Sequence, residues 1–313
     1  MTARLIMKLR VVTLNLTTPD VLHVRLAHPL RPLLPEWSAG AHVDLRMPDG
    51  RVRQYSLCGD PEERSVYELA IKREAMGRGG SIWAHETISE GSELHISAPR
   101  NNLPLDVTGH RYILIAGGIG ITPLMSMART LNRMHKDFVL HYCVRSEAEA
   151  PFIHELRDIC GARLQCWFSR SGSRFDPAMI GPYSDNKQVY ICGPQRLLEA
   201  VEPKLSDWPE TQLHREVFQM TADENFKPEP FEVVIRSTGQ RLLVPATRSL
   251  LEVLRENAFA LPSSCEMGVC GSCEYGYRDG IVIHRDKALP SSKRQDHLTP
   301  CVSRARVSVT LDL

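Results

Sequence analysis

The sequence predicts a multidomain protein that combines an antiparallel β-barrel, a parallel α/β domain and a small mixed β domain. Three observations lead to this prediction: short, evenly spaced strands up to about residue 106, alternating strands and helices after it, and a cysteine-rich loop near the C-terminus. A chain of 313 residues is long enough for two or three domains. We place the domains at residues 1–106, 107–222 and 231–313, with a linker at 223–230.

The composition argues against several classes of protein. Hydrophobic residues make up 42% of the chain and charged residues 24%, as in ordinary globular proteins. The net charge of +1 gives no reason to expect a nucleic-acid or membrane partner. The N-terminus has no apolar signal-peptide core, and the longest apolar run, 112–125, is too short to cross a bilayer. We therefore expect a cytoplasmic protein.

The first domain is predicted to be a small closed barrel, because its short strands recur at regular intervals. Pro48-Asp49-Gly50 predicts a turn, since glycine supplies a positive φ. The candidate strands are Leu9–Leu16, Val21–Ala27, His42–Met47, Gln54–Leu57, Val66–Ile71 and Glu93–Ser97.

Two motifs in this barrel suggest a ligand. Arg53-Gln54-Tyr55-Ser56 combines a cation, an aromatic ring and a hydroxyl, which suits an anionic planar molecule; the alternative is a solvated strand edge. Gly77-Arg78-Gly79-Gly80-Ser81 then leads into a helix start, where exposed N–H groups can hold a phosphate. A loop with an N-capping serine is the alternative.

The second domain begins with the first half of a dinucleotide-binding unit. The buried strand Arg111–Ala116 runs into Gly117-Gly118-Ile119-Gly120-Ile121-Thr122-Pro123, and an amphipathic helix follows over Leu124–Met134. This order places a pyrophosphate at the helix N-terminus, where proline is also well tolerated. The run is not a strict G-x-G-x-x-G motif.

Further strand–helix repeats predict a parallel sheet. The segments are Phe138–Val144, a helix near Glu149–Cys160, Leu164–Ser169, Gln188–Ile191 and the helix Gln195–Leu205. Cys192-Gly193-Pro194 follows the fourth strand, at the edge where ligands bind in open α/β sheets. A buried structural cysteine is the alternative there. Ser169-Arg170, with Arg174, lies where an arginine can pair with a 2′-phosphate.

Four cysteines predict a plant-type [2Fe–2S] cluster. Cys265, Cys270 and Cys273 form a C-x4-C-x2-C run, and Cys301 follows after 27 residues. Gly268 and Gly271 allow the loop to turn its N–H groups toward the sulfurs, whereas a zinc site more often uses two C-x2-C pairs.

The rest of the C-terminal third surrounds this loop. We expect a hairpin of Phe231–Ser237 and Gln240–Val244 across Thr238-Gly239, a serine-capped helix over Ser249–Asn257, and a last strand over Val307–Leu311. Apart from the cluster ligand Cys301, neither His284-Arg285-Asp286 nor Cys301–Ala305 receives a role from the sequence.

Taken in order, these motifs resemble the phthalate dioxygenase reductase and vanillate O-demethylase reductase family over nearly the whole chain. The resemblance implies a flavin-binding barrel of the ferredoxin reductase type, a Rossmann-like nucleotide domain and a β-grasp ferredoxin domain. The residues that match the family's FMN contacts are Arg53, Gln54, Tyr55, Ser56, Ala70, Ile71, Lys72, Arg78, Gly79, Gly80, Ser81, Thr122 and Phe218. Those that match its nucleotide turn and its Cys-Gly-Pro motif are Gly117, Gly118, Gly120, Thr122, Pro123, Cys192, Gly193 and Pro194. Ser169 and Arg170 join this site from their place after the third strand, and they leave NADPH open as the coenzyme.

The resemblance further implies that electrons pass from NADH through FMN and the cluster to the oxygenase component of a Rieske non-haem iron system. Ser56 would bond near the flavin N5 atom, Thr122 would lie where both cofactors meet, and Cys192 would approach the nicotinamide. FMN is favoured over FAD, and NADH over NADPH. We also expect a monomer that docks its partner on the surface around Glu266, Met267 and Val269.

Some alternatives stay open at this point. Phe218 is either a flavin cover or a core residue, and Gln219 replaces a family glycine. The segment 275–283 departs from the commoner family sequence. The oxygenase could be a cytochrome P450 or another monooxygenase, and a redox sensor without turnover is a further class.

Overall fold

The computed structural model describes residues 5–77, 79–218, 226–259 and 261–313. It forms two compact units that divide between Phe218 and Gln219. The first unit holds the barrel and the α/β domain, and the second holds the cysteine loop. Among the helices in these described ranges, none is both long and apolar enough to cross a membrane.

The barrel elements are β1 (Ile6–Thr18), β2 (Val21–Ala27), β3 (Ala41–Arg46), β4 (Val52–Ser56), β5 (Tyr67–Lys72), α1 (Gly80–Thr87), β6 (Glu93–Ser97) and β7 (Arg100–Asn101). The strands pair antiparallel in the order β4-β3-β6-β1-β2-β5, and β7 pairs with β3. A bridge between Leu57 and Leu69 joins the two ends of this order. The predicted closed barrel is confirmed, and Gly50 has the positive φ that its turn requires (84°).

The α/β elements are β8 (Arg111–Gly117), α2 (Ile121–Arg133), β9 (Asp137–Val144), α3 (Ile153–Cys160), β10 (Leu164–Phe168), β11 (Lys187–Gly193), α4 (Gln195–Val201) and β12 (Leu213–Val217). All five strands are parallel, in the order β10-β9-β8-β11-β12. The direction of this order changes between β8 and β11, and such a switch point is where open α/β sheets bind ligands. Strand β12 was not predicted, because Leu213-His214-Arg215-Glu216-Val217 has a polar centre.

Helix α2 connects the barrel to the sheet within the first unit. The Gly40 backbone N–H donates to Ser126 Oγ on α2 (3.2 Å). A Cβ on Gly40 would lie 2.0 Å from the Leu103 carbonyl oxygen, so only glycine allows this approach. At the other end of α2, Arg133 pairs with Asp60 of the barrel (2.7 Å). These contacts place the barrel motifs and the glycine turn before α2 in one compact body.

The second unit contains β13 (Phe231–Ile235), β14 (Arg241–Val244), α5 (Leu250–Glu256), β15 (Tyr275–Ile283), β16 (His297–Leu298) and β17 (Arg304–Leu311). Its sheet has the order β14-β13-β17-β15-β16, in which only β13 and β17 are parallel. This is the predicted β-grasp arrangement. Ser249 caps α5 and forms a capping box with Glu252.

Strand β15 is the longest described element of this unit, and no sequence pattern predicted it. Its pairing with β17 has irregularities on both sides of Gly280, so its side chains do not alternate between buried and exposed. A Cβ at Gly280 would lie 2.2 Å from the Ser308 carbonyl oxygen. The bulge therefore removed the period-two pattern on which strand prediction depends.

Candidate functional site

The four predicted cluster cysteines come together in the second unit as two pairs of thiols. Cys273 Sγ lies 3.2 Å from Cys301 Sγ, and Cys265 and Cys270 are hydrogen-bonded to each other. Within the described residues, no three metal-binding side chains converge on one point. Two thiolate pairs correspond to the two irons of a [2Fe–2S] cluster, each of which takes two cysteines.

The backbone of the loop is shaped around these sulfurs. Gly268 and Gly271 both have positive φ (75° and 67°), as predicted for a tightly curled loop. The Met267 N–H donates to Cys265 Sγ (3.3 Å), and the Ser272 N–H donates to Cys270 Sγ (3.5 Å). Such bonds stabilise thiolates and orient them.

One thiol of each pair is prepared for metal binding. The hydrogen bond with Cys265 lowers the pKa of Cys270 to about 5, and the hydrogen bond with Cys301 lowers the pKa of Cys273. The same two hydrogen bonds raise the pKa of the partner thiols Cys265 and Cys301. Because the thiolate is the form that binds metal, Cys270 and Cys273 are the members of the pairs that ionise first, and the pairing of all four thiols fits the cluster.

Glu266 is not the exposed docking residue that the sequence suggested. It is 8% exposed and has a positive φ (55°). Its carboxylate pairs with Arg255 (2.7 Å) and accepts a hydrogen bond from Ser263 Oγ (3.2 Å). The prediction of Glu266 as a surface charge is therefore wrong, and its carboxylate instead ties the cluster loop to α5.

The His284-Arg285-Asp286 run, which had no role in the sequence, supports the back of the cluster loop. A Cβ on Gly268 would lie 3.1 Å from Asp286 Cα, and the Lys287 N–H donates to the Gly268 carbonyl (2.9 Å). Asp286 Oδ2 accepts the N–H of Leu289 (2.8 Å). Arg294 donates to the Asp286 carbonyl (2.8 Å). The run positions the loop through backbone contacts that a sequence motif does not reveal.

The barrel motif 53–56 forms strand β4, beside the glycine turn that precedes α1. A Cβ on Gly80 would lie 2.9 Å from both Cγ and Nε of Arg53, so the arginine packs directly against the start of the helix. Gly79, the N-cap, has a positive φ (74°). Ser56 is buried, and burial raises the pKa of Tyr55 to about 12. A cation and the N–H groups of the first turn of α1 thus meet in a geometry that fits a phosphate.

The other predicted flavin residues lie around this centre. His85 Nε2 of α1 bonds the Ile71 carbonyl (2.8 Å), and Ser81 Oγ accepts the N–H of Glu74 (3.0 Å). Ala70 is buried. The Lys72 Nζ atom forms an ion pair with Glu74 Oε1 (3.3 Å). Gln54 Nε2 is hydrogen-bonded to His42 Nε2 (3.0 Å). Arg78 lies outside the described residues.

The predicted nucleotide site lies at the switch point, where two loops touch backbone to backbone. A Cβ on Gly120 would be 2.2 Å from the Cys192 carbonyl oxygen, and a Cβ on Gly117 would be 2.6 Å from Pro194 Cδ. Gly193 in turn lies against Gly117, with its hypothetical Cβ 3.0 Å from the Gly117 Cα. Three of the glycines are therefore required by packing at the carboxyl ends of β8 and β11.

Thr122 and Cys192 are both buried at this point. Thr122 Oγ1 donates to the Ile119 carbonyl (3.1 Å), which closes the glycine turn. Cys192 is fully buried, and burial raises the pKa of its thiol well above its usual value. Gly118, by contrast, has a positive φ (54°) and open space beside it.

Glu216 is a residue of this site that sequence reasoning passed over. It pairs in register with Cys192 across β11 and β12. The side chain is partly exposed, but its Oε2 atom is sealed from solvent and has no hydrogen-bond partner among the described residues. Burial raises the pKa of this carboxyl to about 7. The sequence signal that could have identified Glu216 as a site residue was a glutamate at the carboxyl end of a strand that faces the ligand.

Two further predicted residues have specific neighbours. Arg170 Nη1 pairs with Glu149 Oε1 (2.7 Å), and Ser169 starts the short 3-10 turn that carries this arginine. Phe218 packs against the hydrophobic core around α2 and Cys192, and Gln219 lies outside the described residues.

Comparison with known proteins agrees with this geometry. A family model described as a 2Fe-2S iron-sulfur cluster binding domain matches residues 233–306. The phthalate 4,5-dioxygenase oxygenase reductase subunit of Pseudomonas putida is 39% identical, with 97% of this chain and 96% of that protein covered. The vanillate O-demethylase oxidoreductase of Pseudomonas putida is 40% identical over 88% of this chain and 90% of that protein.

A solved structure extends the similarity to the fold. It is titled phthalate dioxygenase reductase, a modular structure for electron transfer from pyridine nucleotides to [2Fe–2S]. It superposes with a TM-score of 0.86 at 36% sequence identity, and 98% of each chain is covered.

Proposed function

This chain belongs to the family of oxygenase reductases that includes phthalate dioxygenase reductase and vanillate O-demethylase oxidoreductase, and we propose that it carries electrons from NADH through FMN and a [2Fe–2S] cluster to a Rieske-type terminal oxygenase. The observation that carries this proposal is the presence of a nucleotide switch point and two cluster-type thiol pairs in one chain. The nucleotide site suits a two-electron donor, and the thiol pairs suit a cluster that transfers one electron at a time.

The chain's own residues would hold three groups. Arg53 and the N-terminus of α1 would hold the FMN phosphate, and Ser56 and Tyr55 would line the ring. The glycine turn before α2 would hold the pyrophosphate of NADH. When bound, a flavin accepts two electrons together and gives them up singly, which is why it belongs between a nicotinamide and an iron–sulfur cluster.

Preference for NADH is supported by the neighbour of Arg170. An arginine attracts the 2′-phosphate of NADPH when its charge is available. Here Glu149 lies 2.7 Å from the guanidinium and competes for that charge. We propose that kcat/KM is higher for NADH than for NADPH; a clear preference for NADPH would contradict this.

The function is tested by an anaerobic titration of the purified protein with NADH. Bleaching of both the flavin and the iron–sulfur absorption bands is the expected result, and the flavin released on denaturation should be FMN. Cys270→Ser should keep NADH-dependent flavin reduction and lose electron delivery to the oxygenase. A zinc-bound protein without flavin would contradict the proposal.

The alternatives are separated by the acceptor. Rapid NADH-dependent reduction of cytochrome c excludes a sensor that does not turn over. Transfer to a cytochrome P450, with none to a Rieske oxygenase, would favour the P450 branch. We also propose that the protein is a cytoplasmic monomer, which analytical ultracentrifugation would test for the oligomeric state.

A further inference from the structure

The second unit contains a cavity of about 270 Å³ beside the cluster loop. Its lining includes the cluster ligand Cys301 and the neighbouring Met267, together with three arginines. Pro228 and Thr247, which are exposed, also line it, so the cavity opens to the surface of this unit. No acidic side chain belongs to the described lining.

The first of the three arginines is already neutralised. Arg248 forms a bidentate ion pair with Glu256, the last residue of α5. Its charge is therefore satisfied within the unit, and it does not call for a further anion.

Among the described residues, Arg304, the second arginine, has hydrogen-bond partners for both Nη atoms but not for its Nε atom. It is 7% exposed, and its Nη atoms donate to the carbonyls of Arg248 (2.8 Å), Glu229 (2.8 Å) and Pro245 (2.9 Å). Its Nε atom is buried with no hydrogen-bond partner in the described part of the chain. All its described partners are neutral, so no negative charge among the described residues balances this guanidinium.

Arg285 is the third arginine. Its guanidinium lies 3.8 Å from the centroid of the Phe226 ring, and no hydrogen bond or ion pair of this side chain occurs among the described residues. Burial and the positive charge of Arg285 both lower the pKa of Arg304. Two like charges thus share one partly desolvated cavity whose described lining holds no counter-charge for them, which is unfavourable until an anion enters.

We propose that this cavity receives a carboxylate side chain of the terminal oxygenase, which pairs with Arg285 and approaches Arg304. A carboxylate is the group that guanidinium pairs bind best among protein side chains. An acid seated there lies against Cys301 and Met267, so the partner is placed at the cluster from which the electron leaves. This inference rests on the proposed function, and it gives a role to the Arg285 and Arg304 motifs.

The test compares Arg285→Gln with Arg306→Gln, using the purified oxygenase component of phthalate dioxygenase as acceptor. Arg306 is an exposed arginine on β17 that does not line the cavity, so both variants lose the same charge from the same unit. We expect Arg285→Gln to raise the KM for the oxygenase about tenfold and to weaken its salt dependence. NADH-dependent ferricyanide reduction should be unchanged in both, and Arg306→Gln should change KM less than about twofold.

Other outcomes would overturn the inference. Equal effects of the two variants would show that only net charge matters. If acetate or phosphate stabilises the wild type but not Arg285→Gln against heat, while the oxygenase KM is unaffected, the cavity binds small ions and not the partner. Wild-type protein that reduces ferricyanide but no oxygenase would refute the proposed function itself, whereas normal transfer without an Arg285→Gln effect refutes only the docking site.

Discussion

Replacing Glu216 by glutamine should remove a pH-dependent loss of stability. Within the ranges that the structure describes, the Oε2 atom of this carboxyl is buried without a hydrogen-bond partner, and burial raises the pKa from 4.5 to about 7. Between these two values the folded state keeps the proton that the unfolded chain releases. The stabilisation is therefore fully present below pH 4.5 and is lost as the pH rises to about 7.

The size of this effect follows from the shift. One pKa unit corresponds to about 1.4 kcal/mol, so the rise from 4.5 to about 7 at Glu216 sets an upper limit of about 3.5 kcal/mol. Because the side chain is partly exposed, we expect on the order of 2 kcal/mol after solvent screening. Relative to the wild type, Glu216→Gln should gain this amount between pH 4.5 and pH 8.

Urea unfolding followed by circular dichroism at several pH values measures this difference, with the exposed Glu202→Gln as the matched control. The difference in free energy of unfolding between Glu216→Gln and wild type should grow as the pH rises from 4.5 to about 7. The same difference for Glu202→Gln should not change with pH. A difference for Glu216→Gln that does not vary with pH would refute the reasoning. A titration of the Glu216 carboxyl by NMR with a midpoint near 4.5 would do the same.

Three further predictions concern the other elements. Gly120→Ala places a Cβ 2.2 Å from the Cys192 carbonyl oxygen, so it should destabilise the fold by about 1–3 kcal/mol and raise the KM for NADH in steady-state assays; an unchanged KM would contradict the site. Glu149→Gln releases Arg170 and should raise the NADPH/NADH ratio of kcat/KM severalfold, whereas Glu147→Gln, which frees Arg157 instead, should not. Ser249→Ala removes the cap of α5 and should cost about 1 kcal/mol in urea unfolding; no loss would mean that the capping box is not formed in solution.

The sequence predicted local structure well wherever a short pattern suffices. Strand β2 begins and ends at the predicted residues, and Gly50 and Gly239 have the positive φ that their turns require. The spacing of the cysteines likewise gave the cluster type. These features depend on neighbours in sequence, so their chemistry is readable without the fold. Strand β15 was missed because its bulges erase the local period.

Contacts between distant segments were decided by the tertiary structure alone. Glu266 was expected in the docking patch for the partner, yet it is buried and pairs with Arg255 of α5. The arginine of His284-Arg285-Asp286 and that of the Cys301–Ala305 run had no function in sequence, and the cavity brings them together.

The sequence by itself therefore determined which cofactors the protein binds, because the spacing of the ligands and the glycine turns each involve only a few neighbouring residues. The fold decided how those sites are tuned. Thiol pairing, the close approach of Gly120 to Cys192 and the sealed carboxyl of Glu216 depend on strands and loops far apart in sequence. Burial and electrostatic interaction act through space, and only the folded chain fixes those distances.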